Sequence, residues 1–452
     1  MANLTSDADV ILSGRFRPDQ ERQYTLVSFW VPEGTQQFHL RANYTHRIAS
    51  DPLLAGGNTL DIGLFDSYPL EPGGPNFRGW SGSELLEITI GEDWATPPYR
   101  SGPLPEGAWY ALLGPYKVCP DGLAWQIELW LNPNLPQPES EAKPHTPVRP
   151  ELPPAARPGW YRGDLHCHTR HSDGDSWPVE ILVAAAESGL DFLAITDHNS
   201  AIRPALTGAE PEGIPVLLPG VEVTTYAGHW NAWGGAGSWY DFREPNAEGI
   251  ARAALAAREA RAFISINHPK PFGPAWACPE IIDQFDAIEI WNGPWNRLNS
   301  IALATWDERL RRGERLVAVG GSDTHVLHSE GPIPFPRARL GQPTTWLKVA
   351  GPLTPESMLA ALRAGDCFIT ASPSGPQLYL DPDTDGVAVQ VAGGSCLALS
   401  VWSDAGCIAA CAVASNEWTT HLPWPADAMF VRAQLGAANG DIVAVSNAIW
   451  RE

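Results

Sequence analysis

Five stretches between residues 164 and 325 end a strand-like run in residues that bind metal ions. Asp164-Leu-His-Cys-His-Thr-Arg-His-Ser-Asp173 presents His166 and His168, with Asp173 five residues further on. Phe192-Leu-Ala-Ile-Thr leads into Asp197 and His198, and Val216-Leu-Leu-Pro-Gly-Val into Glu222. Ala262-Phe-Ile-Ser-Ile-Asn leads into His268, and Leu316-Val-Ala-Val-Gly-Gly-Ser into Asp323 and His325. Eight of the twelve histidines fall between His166 and His328, so the pattern is not a scatter of surface imidazoles. Side chains alternate along a strand, which points His166 and His168 to one side and Cys167 to the other. Two imidazoles and a carboxylate at that spacing suit a hard or borderline divalent cation. Strands that deliver polar ligands from their carboxyl ends, with helices between them, follow the grammar of a β/α barrel, whose active site gathers on that face.

The intervening segments carry helix signals. Ser176 is expected to cap a helix with Pro178 in its first turn, an apolar face at Ile181, Leu182, Ala185 and Ala186, and a stop at Gly189. Further helices are expected at 247–260, 299–312 and 355–364. On the N-terminal side, short alternating runs such as Gln37–Tyr44 and Leu123–Leu131 are separated by Gly, Pro, Asn and Asp, which predicts a β-sandwich over 1–131. His39 and His46 read there as ordinary strand or surface histidines, and Trp80 and Trp94 as core packing in preference to a sugar platform. The proline-dense stretch 132–158 reads as a stiff, extended linker. The metal-binding unit then occupies 159–375, and returning β patterns from 376 to 452 predict a small C-terminal β-domain.

Composition narrows the partners. At 452 residues the chain is expected to hold two or three domains. Its net charge of −22 opposes binding to a long nucleic acid. No run approaches the ~20 apolar residues that a bilayer requires, and the start lacks a basic n-region with an apolar h-region. Seven scattered cysteines do not form a disulfide framework, so a cytoplasmic location is expected. The partner expected is a small-molecule substrate, with no membrane and no long nucleic acid; the oligomeric state is left open.

The ordered set His166-x-His168, Ser-Asp173-Gly, Thr-Asp197-His198-Asn, Gly-Val-Glu222, Asn-His268-Pro and Gly-Ser-Asp323-x-His325 resembles the polymerase and histidinol phosphatase (PHP) superfamily. Within it, the chain looks closest to the carbaryl hydrolase-like (CehA/McbA-type) metallohydrolases, a likeness running from about Tyr161 to Pro373. The resemblance implies a distorted β/α barrel holding two or three divalent metals, zinc, manganese or iron. His166, His168, Glu222 and Asp323 would ligate one, a bridging Glu222 with His268 a second, and Asp173, His198 and His325 a third or shared position. The run Gly228-His-Trp-Asn-Ala-Trp-Gly234 leaves open whether His229 or Asn231 stands where relatives carry a further histidine. Asp197 is expected to orient an imidazole from behind, with His171 and His328 as bystanders.

Clustered divalent ions acidify a bridging water, polarise the ester oxygen and stabilise the leaving oxygen, so no Ser or Cys nucleophile is required. Asp323, His198 and His325 are the expected catalytic groups, the two histidines assisting departure of the leaving group. Lys270, Arg297 and Asn292, just past strand ends, are candidates for meeting substrate, as is Arg203. The first expectation is a phosphoesterase acting on a small phosphomonoester or phosphodiester. The alternative is a carbamate or carboxylic ester hydrolase, for which Trp177, Trp230, Trp233, Trp291 and Trp295 would line an aromatic pocket. A nuclease and a non-catalytic glycan- or partner-binding protein rank below both.

Overall fold

The computed structural model describes residues 7–51, 53–135, 145–204, 206, 208–235, 239–271, 274–328 and 337–451. The chain folds into a mixed α/β molecule rich in strands. Its N-terminal part forms two four-stranded antiparallel sheets. One runs in the order Val10–Phe16, Leu123–Leu131, Gln37–Tyr44, Glu87–Gly91, and the other Thr25–Val31, Gly107–Lys117, Thr59–Phe65, Phe77–Gly82. Alternation sends Phe38, Leu40, Ile88 and Leu129 from the first sheet and Phe29, Leu60, Ile62 and Trp109 from the second into one core.

The middle of the chain alternates strands and helices, and the helices follow the sequence closely. They span Pro178–Glu187, Ala247–Glu259, Asn299–Arg311 and Pro355–Ala364. Asn246 and Thr354 cap two of them by accepting from Gly249 N–H (3.0 Å) and Ser357 N–H (3.3 Å). Ser176 is not the cap of the first helix. Its hydroxyl donates to Asp175 at 2.6 Å, and Trp177 takes the position, its N–H donating to Glu180 Oε2 at 2.7 Å. Gly189 ends that helix at φ +83°, a conformation open to glycine without penalty.

Among the described residues the strands of the expected distorted β/α barrel do not close into a ring. The strands form one open, mixed path: Val317–Gly321, Ala287–Asn292, Phe263–Ile266, Gly228–Trp233, Val216–Thr225, Phe192–Ile195, Trp160–Asp164, Thr344–Lys348 and Cys367–Thr370. Two features break the all-parallel repeat. Gly228–Trp233 lies antiparallel between Val216–Thr225 and Phe263–Ile266, and Thr344–Lys348 pairs antiparallel to Trp160–Asp164. The Val317–Gly321 edge meets the chain leaving Trp160–Asp164 through the isolated bridge Cys167–Thr324, where Asp323 N–H donates to His166 O (2.8 Å) and His168 N–H to Thr324 O (2.9 Å). That approach brings the first and last ligand stretches together.

The path continues past residue 375. Cys367–Thr370 pairs with Ile442–Ser446, and Phe430–Gly436, Ala398–Ser403 and Gly406–Ala412 follow. A separate sheet of Gln377–Asp383, Gly386–Ala392 and Glu417–Pro423 packs on this extension, sharing a core of Leu378, Val389, Val401 and Leu435. Of the expected linker, residues 136–144 lie outside the described residues. The rest is tied down: Arg149 pairs with Asp191 (2.9 Å), and Arg157 with Gln390 (2.7 Å) and Asp381.

The N-terminal and middle parts also share a core. Phe65, Phe77 and Trp80 pack against Trp239 and Phe242, with ring centroids 5.1 Å apart for Phe77–Trp239 and 6.0 Å for Trp80–Phe242.

Candidate metal centre

The ligand stretches converge at one mouth. His166 and His168 follow Trp160–Asp164, and Cys167 between them turns away to Ala194 O (3.3 Å). Glu222 and His229 lie on the adjacent antiparallel strands Val216–Thr225 and Gly228–Trp233. His198, His268, Asp323 and His325 sit just past strand ends, and His268 and Asp323 hold left-handed backbones at φ +32° and +54°. Such backbones persist only where surroundings enforce them. Here the enforcing bonds are His268 N–H to Glu289 Oε2 (3.0 Å) and Asp323 N–H to His166 O.

Among the described residues three overlapping groups could each hold a cation: His168, Asp173, His198 and His325; His166, His168 and Asp323; His198, Glu222 and His229. Glu222 is the hub. Its carboxylate lies 3.4 Å from His166, 3.5 Å from His168, 2.8 Å from His198, and 3.3 Å from both His229 and His268. The Nε2 atoms of His166 and His168 face each other at 3.1 Å. Two nitrogens bound to one tetrahedral ion lie about 3.4 Å apart, given Zn–N bonds near 2.1 Å. His268 Nδ1 is buried without a hydrogen-bond partner, a costly state that cation ligation relieves. The donor set therefore fits divalent ions. His229 joins these groups and Asn231 does not.

Charges within the cluster are strongly coupled. Against burial, which lowers them, Asp173 and Asp323 raise His325 to about 10, while Glu222, Glu289 and Asp323 raise His166. Burial and the charges of His325 and His198 push His168 down to about 3. Against burial, which raises it, Glu222 is held ionised by His166, His198 and His229, well below the usual carboxylate range.

A ring of second partners orients the ligands. Glu289 accepts from His166 Nδ1 at 2.9 Å, which turns Nε2 toward the cluster. It also accepts from Asn292 Nδ2 at 3.2 Å. Glu289 was not among the residues singled out from the sequence; the structure places it inside the fully buried strand Ala287–Asn292, and an acid within an apolar run marks the position without revealing its role. Asp197 holds the loop behind His168, accepting from Thr169 N–H (2.7 Å), Thr169 Oγ1 (2.8 Å) and Ser172 Oγ (2.7 Å). Its path to the imidazole of His168 runs through Ser172 Oγ, 3.5 Å from Nδ1. His171 and His328 belong to none of the three groups.

The centre opens into a cavity of about 570 Å³. Asn292 lines it and donates to Asp323 Oδ2 at 3.3 Å. Lys270 does not line it. Its ammonium donates to Asn292 O (3.1 Å) and Asn299 Oδ1 (2.6 Å), and burial lowers its pKa to about 8. Arg297 and Arg203 are also absent from the lining, Arg203 donating to Gly234 O at 2.7 Å. Of the tryptophans near the motifs, Trp230, Trp233 and Trp291 are buried in cores. The cavity's aromatic side comes from Trp80, Tyr116 and Tyr226.

No family model matches the chain. Segments of it are similar to curated proteins: 35% identity over 103 residues to a 5′-3′ exoribonuclease of Haemophilus influenzae, covering 22% of this chain and 36% of that one. A 63-residue segment is 43% identical to a 3′,5′-nucleoside bisphosphate phosphatase of Chromobacterium violaceum, covering 14% and 22%. The chain thus spans about a third or less of the length of these relatives. Among solved structures, it is similar to a two-domain Bacteroides vulgatus protein described as containing a predicted PHP-like metal-dependent phosphoesterase, at 17% identity and TM-score 0.39, covering 69% of this chain and 100% of that one. An amidohydrolase from Chromobacterium violaceum aligns at 18% identity and TM-score 0.25, covering 38% and 93%.

Proposed function

We propose that this chain is a metal-dependent phosphoesterase of the PHP type that hydrolyses a small phosphomonoester or phosphodiester. The observation that carries it is the buried Glu222 with imidazoles on several sides, a member of one of three overlapping ligand groups that open onto one cavity. The short segments shared with an exoribonuclease and a bisphosphate phosphatase support phosphoester chemistry. Two or three divalent ions, zinc, manganese or iron, are the cofactors of this reading, and the carbaryl hydrolase-like branch is its finer placement. The same reading keeps 1–131 as a β-sandwich, supported by the core that its two sheets enclose between them, and 159–375 as the catalytic unit.

When bound, the ions supply an acidified water and charge to polarise the ester oxygen. The chain's own residues hold the geometry. Glu289 sets the tautomer of His166, and Asn292 steadies Asp323. His325 donates its Nδ1 proton to Asp323 O at 3.0 Å, so Nε2 faces the mouth, 3.4 Å from Asp173. His325 and His198 are placed to help the leaving oxygen take up a proton. His325→Gln is expected to alter both metal content and the pH–rate profile; a variant unchanged in both removes that role.

The carbamate or carboxylic ester reading is favoured by one observation: Lys270 and Arg297 do not line the cavity, so an uncharged substrate would lose nothing there. The discriminating experiment uses metal-analysed protein with p-nitrophenyl phosphate, its bis-ester, 1-naphthyl acetate and a naphthyl carbamate, each with a chelator control. Chelator-sensitive phosphate-ester turnover is expected. Naphthol release without it assigns the chain to the second reading.

A further inference from the structure

The cavity has two walls from distant parts of the chain. One is the ligand cluster. The other is built by the N-terminal sheets and the turn after Val216–Thr225, none of which carries a metal ligand motif. On that wall Trp80 is only 8% exposed, and the rings of Tyr116 and Tyr226 stack at 5.6 Å with 24° between planes. The Tyr226 hydroxyl donates to Asp61 Oδ2 at 2.8 Å, and Asp61 itself is 6% exposed. Glu84, in the turn after Phe77–Gly82, lines the cavity within electrostatic reach of Asp173, His198 and His325. Among the described lining residues Arg22 is the single Lys or Arg, and its guanidinium lies over the Tyr116 ring at 5.4 Å.

Tyr226 also stacks on Tyr24 at 4.8 Å, so the wall meets a flat ring through aromatic edges, an edge-to-face arrangement that such rings favour. Glu84 accepts hydrogen bonds and repels anions, and Asp61, pushed up to about 7 by burial, does so in its ionised form. With cations bound, Asp173, Glu222 and Asp323 are matched at the metal side, and the distal part of a substrate meets Asp61 and Glu84. We propose that the N-terminal β unit forms a leaving-group subsite for a ring bearing hydrogen-bond donors, neutral or cationic, and rejects a leaving group that carries a second anion. The inference rests on the phosphoesterase reading for its substrates. It separates this cavity from one built for a bisphosphate, which needs cations at both ends.

Three phenyl phosphates differing only at the para position test it: hydroxymethyl, aminomethyl and carboxy. On metal-loaded wild type, kcat/KM for the first two is expected to exceed that for the carboxy ester by about tenfold or more. Glu84→Lys, at an exposed turn, is expected to bring that ratio near unity or invert it, and Asp61→Asn, which keeps an oxygen for Tyr226, to shrink it. Equal kcat/KM for the three esters in wild type, or a ratio unmoved in both variants, overturns the subsite. If none of the esters releases phosphate, the phosphoesterase reading falls on its own. Calorimetric binding of the intact esters then decides the subsite: the same ordering of Kd supports it, and equal Kd values overturn it.

Discussion

Glu289 illustrates how a residue outside every motif sets up those inside them. Its carboxylate joins the Nδ1 of His166 to the backbone N–H of His268, so one side chain orients two ligands from different strands. Glu289→Gln keeps the shape and removes the charge, and a loss of about 10–100-fold in metal affinity is expected. Competition with a chromogenic chelator measures it; an unchanged Kd removes the orienting role. Protons give a second prediction at this scale. Against burial, which lowers it, Glu222, Glu289 and Asp323 raise His166, so it carries a second proton in the metal-free protein at neutral pH. Ligation requires the free nitrogen, so metal uptake releases protons and affinity falls as pH drops. Calorimetry in buffers of different ionisation enthalpy reads this directly, and a buffer-independent enthalpy contradicts it. His166, His168, Glu222 and Asp323 were legible because each ends a strand-like run. Glu289 was not, since nothing local tells a buried acid that orients from one that is merely paired. Lys270 misled for a related reason: its place after a strand end gave no sign that Asn292 and Asn299 would hold it inward.

At the level of elements, strands and turns set the ligand spacing. The loop from Thr169 to Ser172 hangs on Asp197, which receives three hydrogen bonds from it. Asp197→Ala leaves those buried donors unpaired, at roughly 1–3 kcal/mol each. A lower Tm is expected, with faster hydrogen exchange confined first to residues 169–175. Uniformly faster exchange across the molecule would show that Asp197 acts on global stability instead. The helices read from the sequence match to within a residue or so, because Pro, Gly and Asn at their ends act locally. The sheet was harder. Whether strands close into a barrel depends on pairing direction between distant segments, and the antiparallel Gly228–Trp233 and Thr344–Lys348 carry the same apolar signature as parallel neighbours.

At the scale of the whole molecule, the core shared by Phe65, Phe77, Trp80, Trp239 and Phe242 joins parts that a proline-rich stretch separates in sequence. Phe242→Ala empties the junction and is expected to cost about 3–5 kcal/mol. Both parts are expected to lose stability together in a single calorimetric transition. Two transitions, with only one shifted, would show that they melt independently. That junction was not legible, because an apolar residue does not announce which core it enters. Its packing fixes the Asp61–Tyr226 hydrogen bond across the same seam, a few residues beyond Glu222 on one continuous strand and turn. On the proposed subsite, the candidate ligands and most of the residues that face the leaving group thus lie in different stretches of the chain, and Tyr226, just after the strand that carries Glu222, is where the two stretches meet. On that proposal a change of preferred leaving group runs mainly through edits to the N-terminal sheets, and an edit at Glu84 is felt at Asp173, His198 and His325 as well.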